Sequence, residues 1–228
     1  MKYCFLFAME AEAKYLLTHC EVTSTKKYGF ATLYTLTHEG HEFYVCVSGI
    51  GKVLASAGAA TAILSCPDAD AFVNLGIGGS LDAAKAPCLS AVVASQFAQH
   101  DMETSSFGVP RGYLHGLDIV EIPSDEALSD SLVKACGLEN IPAIQAPMAS
   151  GDQFIVDEAV KQDVAKTFGA LSIDMEGAAY AEICFVHGKP FTALRIVSDA
   201  VDHQAEYAKN KPIAGELSCK VGLRLLSL

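Results

Sequence analysis

Apolar segments of strand length alternate with segments of helical length along most of this chain, and the alternation constrains the fold more than any other feature. Strands are predicted at residues 2–8, about 28–36, 41–47, 71–75, 90–98, 170–175 and 191–197, with a weaker candidate at 143–148. Helices are predicted at residues 9–19, about 52–65, 125–136, 157–167, 176–187 and 213–227. This pattern predicts an α/β fold, and the absence of an internal repeat or low-complexity linker favours one domain over residues 1–228.

The composition argues against several classes of function. The formal net charge is −11 without a compensating Lys/Arg cluster, so general binding to nucleic-acid phosphates or anionic lipid is not expected. A neutral or cationic small ligand suits this charge better. Hydrophobic residues make up 51% of the chain and can fill a sizeable core, but no uncharged apolar run is long enough to predict a membrane span.

The cysteines and the first residues bear on the cellular compartment. Eight cysteines are scattered singly without a C-x-x-C pair, which predicts reduced, buried thiols in a cytoplasmic protein. The apolar start at residues 1–8 is followed at once by Glu10 and Glu12 and lacks a small-residue cleavage site, so it is interpreted as a buried strand. No zinc-type Cys/His spacing and no His-Glu-x-x-His helix occurs, and neither a metal site nor a cofactor is predicted.

Two acidic residues follow predicted strands directly. Glu176 comes after the strand at 170–175, and Asp199 comes after the strand at 191–197. Because the carboxyl ends of strands in an α/β protein face the ligand crevice, acids at these places can converge on one substrate. Taken singly, each acid could equally be a helix cap or a first-turn residue.

Two glycine-rich segments are partly similar to known nucleotide-binding motifs, but neither segment matches its motif in full. The segment GIGGSL at 76–81 begins like a dinucleotide fingerprint, but Leu81 stands where the last glycine is required. Gly51-Lys52 is similar to the end of a P-loop, but Cys46 replaces its first glycine and Val53 replaces its hydroxyl residue. NAD binding and ATP hydrolysis are therefore not predicted. The glycines are better suited to letting backbone amides approach a sugar or base, with tight turns as the alternative.

A set of ordered motifs covers most of the chain. They are FAMEAE at 7–12, SGIGK at 48–52, NLGIGG at 74–79, SGDQFI at 150–155, SIDMEGA at 172–178 and LRIVSD at 194–199. In this order the sequence resembles the 5′-methylthioadenosine/S-adenosylhomocysteine nucleosidases of the purine nucleoside phosphorylase superfamily. The resemblance implies a three-layer αβα sandwich with a mixed central sheet. It also implies hydrolysis of the N-ribosidic bond of a 5′-modified adenine nucleoside, with release of adenine and without a cofactor.

The resemblance assigns catalytic roles to three acids. Cleavage of an N-ribosidic bond leaves an oxocarbenium-like sugar and an electron-rich purine, so the base must be protonated and the sugar stabilised. By similarity, Asp199 would donate a proton to purine N7, and Glu12 would be the base for the attacking water. Glu176 would accept hydrogen bonds from the ribose hydroxyls, as a carboxylate with two acceptor oxygens can.

Other residues in the same motifs are assigned to substrate binding by the resemblance. Phe154 would stack on the purine and the Ile155 backbone would pair with its edge, although a plain hydrophobic core pair is the alternative. Ser198 and Arg195 would orient the acid at 199, and Arg195 is equally suited to be a structural counter-ion on its strand. The remaining assigned residues are Met175, which would pack against the sugar, and Met9, Ile50 and Gly78.

The chain departs from the family pattern at Ile77, where a small hydroxyl residue is common. An isoleucine side chain cannot hydrogen-bond, and a phosphate dianion needs several donors, so Ile77 weakens a phosphorylase assignment. It also makes nucleosidase efficiency uncertain. The segment at 200–207 is similar to the family only at its start, so the pocket for the 5′ substituent is not assigned.

The longest predicted irregular segment, at about 99–116, contains Phe107 and is expected to be a lid or an interface element, with a plain surface loop as the alternative. His100-Asp101 and Phe107-Gly108 resemble a family segment that reaches a neighbouring subunit's active site. This implies a homodimer in which Phe107 contributes to substrate binding.

Two other functions remain possible at this point. A phosphorylase or hydrolase of ordinary purine nucleosides would be distinguished by the phosphate dependence of its products. A nucleoside-binding protein without catalysis is suggested by Ile77, but retention of both Glu12 and Asp199 argues against it. The expected partner is a small purine nucleoside.

Overall fold

A single mixed sheet organises the chain. The structure is a computed structural model and describes residues 1–200 and 203–228, with side chains in the second range from Ala205 onward. Within these ranges the strands are β1 (Tyr3–Phe7), β2 (Glu21–Tyr28), β3 (Ala31–His38), β4 (His41–Val47), β5 (Ala71–Ser80), β6 (Ala91–Gln99), β7 (Glu121–Pro123), β8 (Ala143–Ser150), β9 (Ser172–Asp174) and β10 (Phe191–Asp199). The helices are α1 (Glu10–His19), α2 (Lys52–Ser65), α3 (Glu126–Leu138), α4 (Glu158–Phe168), α5 (Gly177–Val186) and α6 (His203–Leu226).

The strand order brings several strand ends to one place. The order is β10-β6-β8-β9-β5-β1-β4-β3-β2, with β7 paired to β6 and with a further pairing between β10 and β5. That last pairing closes β10, β6, β8, β9 and β5 into a ring at one end of the sheet. The strands β4, β1, β5 and β10 are mutually parallel, so their carboxyl ends meet at one edge.

Helices cover both faces of the sheet, which confirms the predicted three-layer α/β architecture with a mixed sheet. The helices α1, α3 and α6 share one hydrophobic cluster with the sheet, and α2 and α5 share another. Neighbouring residues of β1 show the two-residue period, since Phe5 faces the first cluster and Leu6 faces the second. Burial on both faces explains why β1 is an uninterrupted apolar run.

Several element boundaries differ from the sequence prediction. The edge strand β2 was missed because its sequence, EVTSTKKY, is polar and almost wholly exposed, so it carries no alternating pattern. The strand β5 continues through its glycines to Ser80, five residues beyond the predicted end. The helix α6 begins at His203, ten residues before the predicted start, and includes Pro212 in its interior. The short strand β7 was also missed.

Two smaller findings bear on the sequence predictions. All eight cysteines are free, and only Cys20 and Cys88 are not fully buried. None of the helices in the described ranges is long and apolar enough to cross a membrane.

Candidate active site

A pocket with about 650 Å³ of empty space, its open mouth included, lies at the carboxyl ends of the parallel strands. The wall consists of Ala8, Met9, Glu12, Ile50, Ile77, Gly79, Gln153, Phe154, Ile155, Ile173, Asp174, Met175, Glu176, Ser198, Asp199 and Tyr207. The lining is predominantly apolar, and it includes four acidic residues. Among the described residues, no group of His, Cys, Asp and Glu side chains is arranged to hold a metal ion.

Most of the predicted site residues line this pocket, and three do not. Phe107 ends a short 3₁₀ turn, Ser105–Phe107, and is 80% exposed, away from the pocket wall of its own chain. Gly78 does not line the pocket, but the next residue, Gly79, does. Arg195 is buried behind the wall.

Glu12 is held at the start of α1 with both carboxylate oxygens engaged. Oε2 accepts a hydrogen bond from the Met9 N–H (3.1 Å), and Oε1 accepts one from the Ile77 N–H (3.2 Å). The residue is 6% exposed, and burial raises the pKa of its carboxyl although the nearby Arg195 charge opposes the rise. Glu12 thus caps its helix and also presents a carboxylate of increased basicity to the pocket.

Glu176 lies between β9 and α5. Its Oε1 accepts a hydrogen bond from the Gly51 N–H (2.8 Å). Burial, with a smaller contribution from the neighbouring Asp174 charge, raises the pKa of Glu176 to about 7. Near neutral pH this carboxyl therefore takes up a proton far more readily than an exposed glutamate does.

Asp199 ends β10 and is almost fully buried. Its Oδ1 accepts a hydrogen bond from the Ser198 hydroxyl (2.7 Å), and the same hydroxyl lies 3.3 Å from the Gly78 carbonyl oxygen. The buried Lys161 is close by, and its side-chain nitrogen donates to the Ser80 carbonyl (3.2 Å). Burial lowers the pKa of Lys161, and the charge of the nearby Asp199 partly opposes this lowering. Nothing in the sequence distinguished Lys161 from an ordinary helical lysine.

Arg195 forms an ion pair with Asp174 beneath the pocket. Its Nη2 lies 2.7 Å from Asp174 Oδ2, and the same nitrogen donates to the side-chain oxygen of Asn74. The other oxygen of Asp174 accepts from the Ser150 hydroxyl (2.5 Å) and from the N–H groups of Glu176 (3.1 Å) and Gly177 (3.0 Å). Of the two roles considered for Arg195, this arrangement fits the structural counter-ion, since the guanidinium compensates buried carboxylates without lining the pocket.

Two aromatic side chains, Phe154 and Tyr207, also line the pocket. Phe154 is 52% exposed, so the core-pair alternative is wrong for this residue. It meets Tyr207 edge to face, with ring centroids 5.4 Å apart and an angle of 74° between the planes. Tyr207 was missed because the segment at 200–207 matched the family only at its start. Within that segment Val201 and Asp202 lie outside the described residues.

Comparison with known proteins identifies the family. A model described as the Phosphorylase superfamily matches residues 2–227. The chain belongs to this superfamily. The aminodeoxyfutalosine nucleosidase of Campylobacter jejuni is 30% identical over 207 residues, which are 91% of this chain and 89% of that protein.

Solved structures of superfamily members superpose over nearly the whole length of the chain. The futalosine hydrolase of Helicobacter pylori gives a TM-score of 0.92 at 25% identity and covers 100% of this chain and 97% of that one. The 5′-methylthioadenosine/S-adenosylhomocysteine nucleosidase of Colwellia psychrerythraea, solved with adenine, gives 0.91 at 26% identity and covers 100% and 95%.

Proposed function

We propose that the protein hydrolyses the N-ribosidic bond of a 5′-modified adenine nucleoside, such as 5′-methylthioadenosine, S-adenosylhomocysteine or aminodeoxyfutalosine, and releases adenine. The observation that carries the proposal is the convergence of Glu12, Glu176 and Asp199 on one mostly apolar pocket. The nucleosidase and hydrolase names of the similar proteins support the same chemistry.

The reaction breaks the bond between ribose C1′ and purine N9, and its electron pair goes to the purine. Asp199, protonated for this step, donates its proton to N7, and the Ser198 hydroxyl holds the carboxyl in place. Water adds to C1′ and gives its proton to Glu12, whose raised pKa makes it a stronger base than an exposed glutamate. Glu176 accepts hydrogen bonds from the ribose hydroxyls. The products are adenine and the free sugar.

The pocket favours water over phosphate as the nucleophile. No Lys, Arg or His side chain is among the described lining residues, so a phosphate dianion would find no cationic side chain in the wall. The Ile77 N–H already donates to Glu12, and its side chain offers no donor. A phosphate ion would therefore enter without the donors that usually bind it.

Product analysis tests this proposal. The protein is incubated with 5′-methylthioadenosine, with inosine and with adenosine, each with and without phosphate, and Asp199→Asn serves as the inactive control. We expect free adenine and a reducing sugar from methylthioadenosine in phosphate-free buffer. A sugar 1-phosphate formed only with phosphate would establish a phosphorylase, and binding without any product would establish a noncatalytic binding protein.

We also propose that the protein acts as a homodimer in the cytoplasm. Phe107 and Val53 are large apolar side chains that are 80% and 78% exposed, and the Lys52–Asp101 ion pair (2.5 Å) holds the start of α2 against the segment that leads to Phe107. A partner subunit covering this surface would bury both side chains. Eight free cysteines suit a reducing compartment.

Sedimentation at micromolar concentration and the kinetics of Phe107→Ala test the dimer. We expect a dimer, and an increased Michaelis constant for methylthioadenosine in the variant. A monomer with an unchanged Michaelis constant would refute both the assembly and the shared site.

A further inference from the structure

A hydrogen-bonded network centred on Asp101 joins three separate loops. Asp101 Oδ1 pairs with Lys52 Nζ (2.5 Å), and Oδ2 accepts a hydrogen bond from the Asp152 N–H (2.8 Å). Asp152 Oδ1 in turn accepts from the Lys52 N–H (2.8 Å). The three residues therefore form a closed circuit in which every bond involves a carboxylate, and charge-assisted bonds of this kind are the stronger ones. None of the three is among the residues lining the pocket.

Two of the three loops carry a group that the pocket uses. The Gly51 N–H, one residue before Lys52, holds the Glu176 carboxylate. Phe154 follows Asp152 by two residues on its loop and lines the pocket. The circuit thus joins the turn that positions the ribose-binding carboxylate to the loop that carries the purine-stacking ring.

Glycines make this close approach possible. Gly51 has φ +91°, and a Cβ there would lie 3.0 Å from Asp152 Oδ1. A Cβ at Gly151 would lie 2.9 Å from Asp101 Cγ and 2.4 Å from the His100 ring. A side chain at either position would push the loops apart, so the close contact between the loops requires glycine at both positions.

The network is only partly accessible to solvent. The side chains of Lys52 and Asp101 are 17% and 19% exposed, and Lys52 Nζ makes a further bond to Gln99 Oε1 (2.8 Å). Burial acts to raise the pKa of Asp101, but the Lys52 ammonium and the Asp152 N–H outweigh it and hold that pKa below its usual value. Asp101 is therefore a stable anion through the neutral range.

We propose that Asp101 is a positioning residue for nucleoside binding, because it bridges Lys52 and Asp152 and so fixes Glu176 and Phe154 relative to each other. This rests on the proposed function, in which those two residues contact ribose and purine. Asp101 itself touches no substrate. Loss of the bridge weakens ribose and purine contacts in the ground state and the transition state alike, which raises KM more than it lowers kcat.

The experiment compares Asp101→Asn and Lys52→Met with Asp163→Asn as the matched control. Asp163 also pairs with a cation, Arg111 (2.5 Å), but its side chain is 57% exposed and it does not line the pocket. We expect either bridge variant to raise KM for methylthioadenosine about 10-fold with kcat changed less than about 3-fold. The double variant should match the single variants because both remove one bridge. The control should leave both constants unchanged.

A second measurement separates positioning from a general loss of stability. Glu176 must be ionised to accept from ribose, so kcat/KM should fall below about pH 7. The Gly51 N–H bond favours the ionised form of Glu176, and its weakening should raise the pKa of that carboxyl. The acidic limb of the kcat/KM profile should therefore move to higher pH in Asp101→Asn but not in Asp163→Asn. An unchanged KM and an unmoved limb would overturn the proposal, as would additive effects in the double variant.

Failure of the proposed function is recognised separately. In that case the wild-type protein produces no adenine, and the bridge is tested by binding of 5′-methylthio-7-deazaadenosine, which lacks N7 and cannot be protonated there. An approximately 10-fold higher Kd in Asp101→Asn and in Lys52→Met, with unchanged melting temperatures, supports the positioning role. Equal Kd values in the wild type and both variants refute it.

Discussion

Replacement of Glu176 by glutamine is expected to stabilise the ligand-free protein at and above neutral pH. The pKa of Glu176 rises from its ordinary value of 4.5 to about 7 in the folded state, mainly through burial. Between these values the unfolded chain releases a proton that the folded protein keeps, so folding stability falls as pH rises through this interval. At ~1.4 kcal/mol per pH unit, the loss reaches about 3 kcal/mol above pH 7 and is absent near pH 4.

The glutamine side chain removes this loss while keeping an oxygen that can accept from the Gly51 N–H. Urea unfolding of both proteins at intervals from pH 4 to pH 8 measures the difference. We expect the variant to gain ~2–3 kcal/mol at pH 8 and almost nothing at pH 4. Glu10→Gln, at an exposed position of the same residue type, should change the free energy of unfolding by less than about 1 kcal/mol at each pH. A pH-independent difference, or a less stable variant at pH 8, would refute the reasoning.

The other substitutions separate chemistry, binding and folding. Asp199→Asn and Glu12→Gln should each lower kcat by ~10²–10⁴-fold in steady-state assays. Phe154→Ala should raise KM by roughly 10-fold, because an aromatic contact is worth about 1 kcal/mol beyond its buried area; an unchanged KM would remove it from the purine wall. Arg195→Met should cost about 3–5 kcal/mol in urea unfolding, since it leaves the Asp174 charge buried without its partner.

The α/β class followed from the sequence pattern because apolar strands buried on both faces leave a strong local signal, whereas the three layers and the mixed sheet were implied by the family resemblance. The strand at Phe5 and Leu6 reads as apolar throughout because each face packs against helices. The edge strand β2 carries no such signal because it is polar and almost wholly exposed, although it forms a hairpin with the next strand, β3. The second half of β5 contains glycines, which have no side chains and therefore give no alternating hydrophobic pattern, so the strand could not be predicted beyond residue 75.

The site was partly predictable for a similar reason. Acids at strand ends, such as Asp199, can be recognised from local sequence because the strand before them is recognisable. The position of Lys161 beside Asp199, and the pairing of Arg195 with Asp174, depend on which strands and helices become neighbours in space. Tyr207 reaches the pocket from a helix whose first turns have no hydrophobic period.

The electrostatics of the pocket lead to a last expectation, that nucleoside binding releases a proton. Burial raises the pKa of Glu176 to about 7, so part of these carboxyls are protonated in the free protein near neutral pH. Ribose hydroxyls that donate to this carboxylate favour its ionised form, so binding should release a fraction of a proton per nucleoside near pH 7 and less at higher pH. Calorimetry with 5′-methylthio-7-deazaadenosine in two buffers of different ionisation enthalpy measures this number, and Glu176→Gln should reduce it to near zero. Equal proton release by that variant would mean that another group gives up the proton, and Glu176 would then not be the carboxylate that receives the ribose.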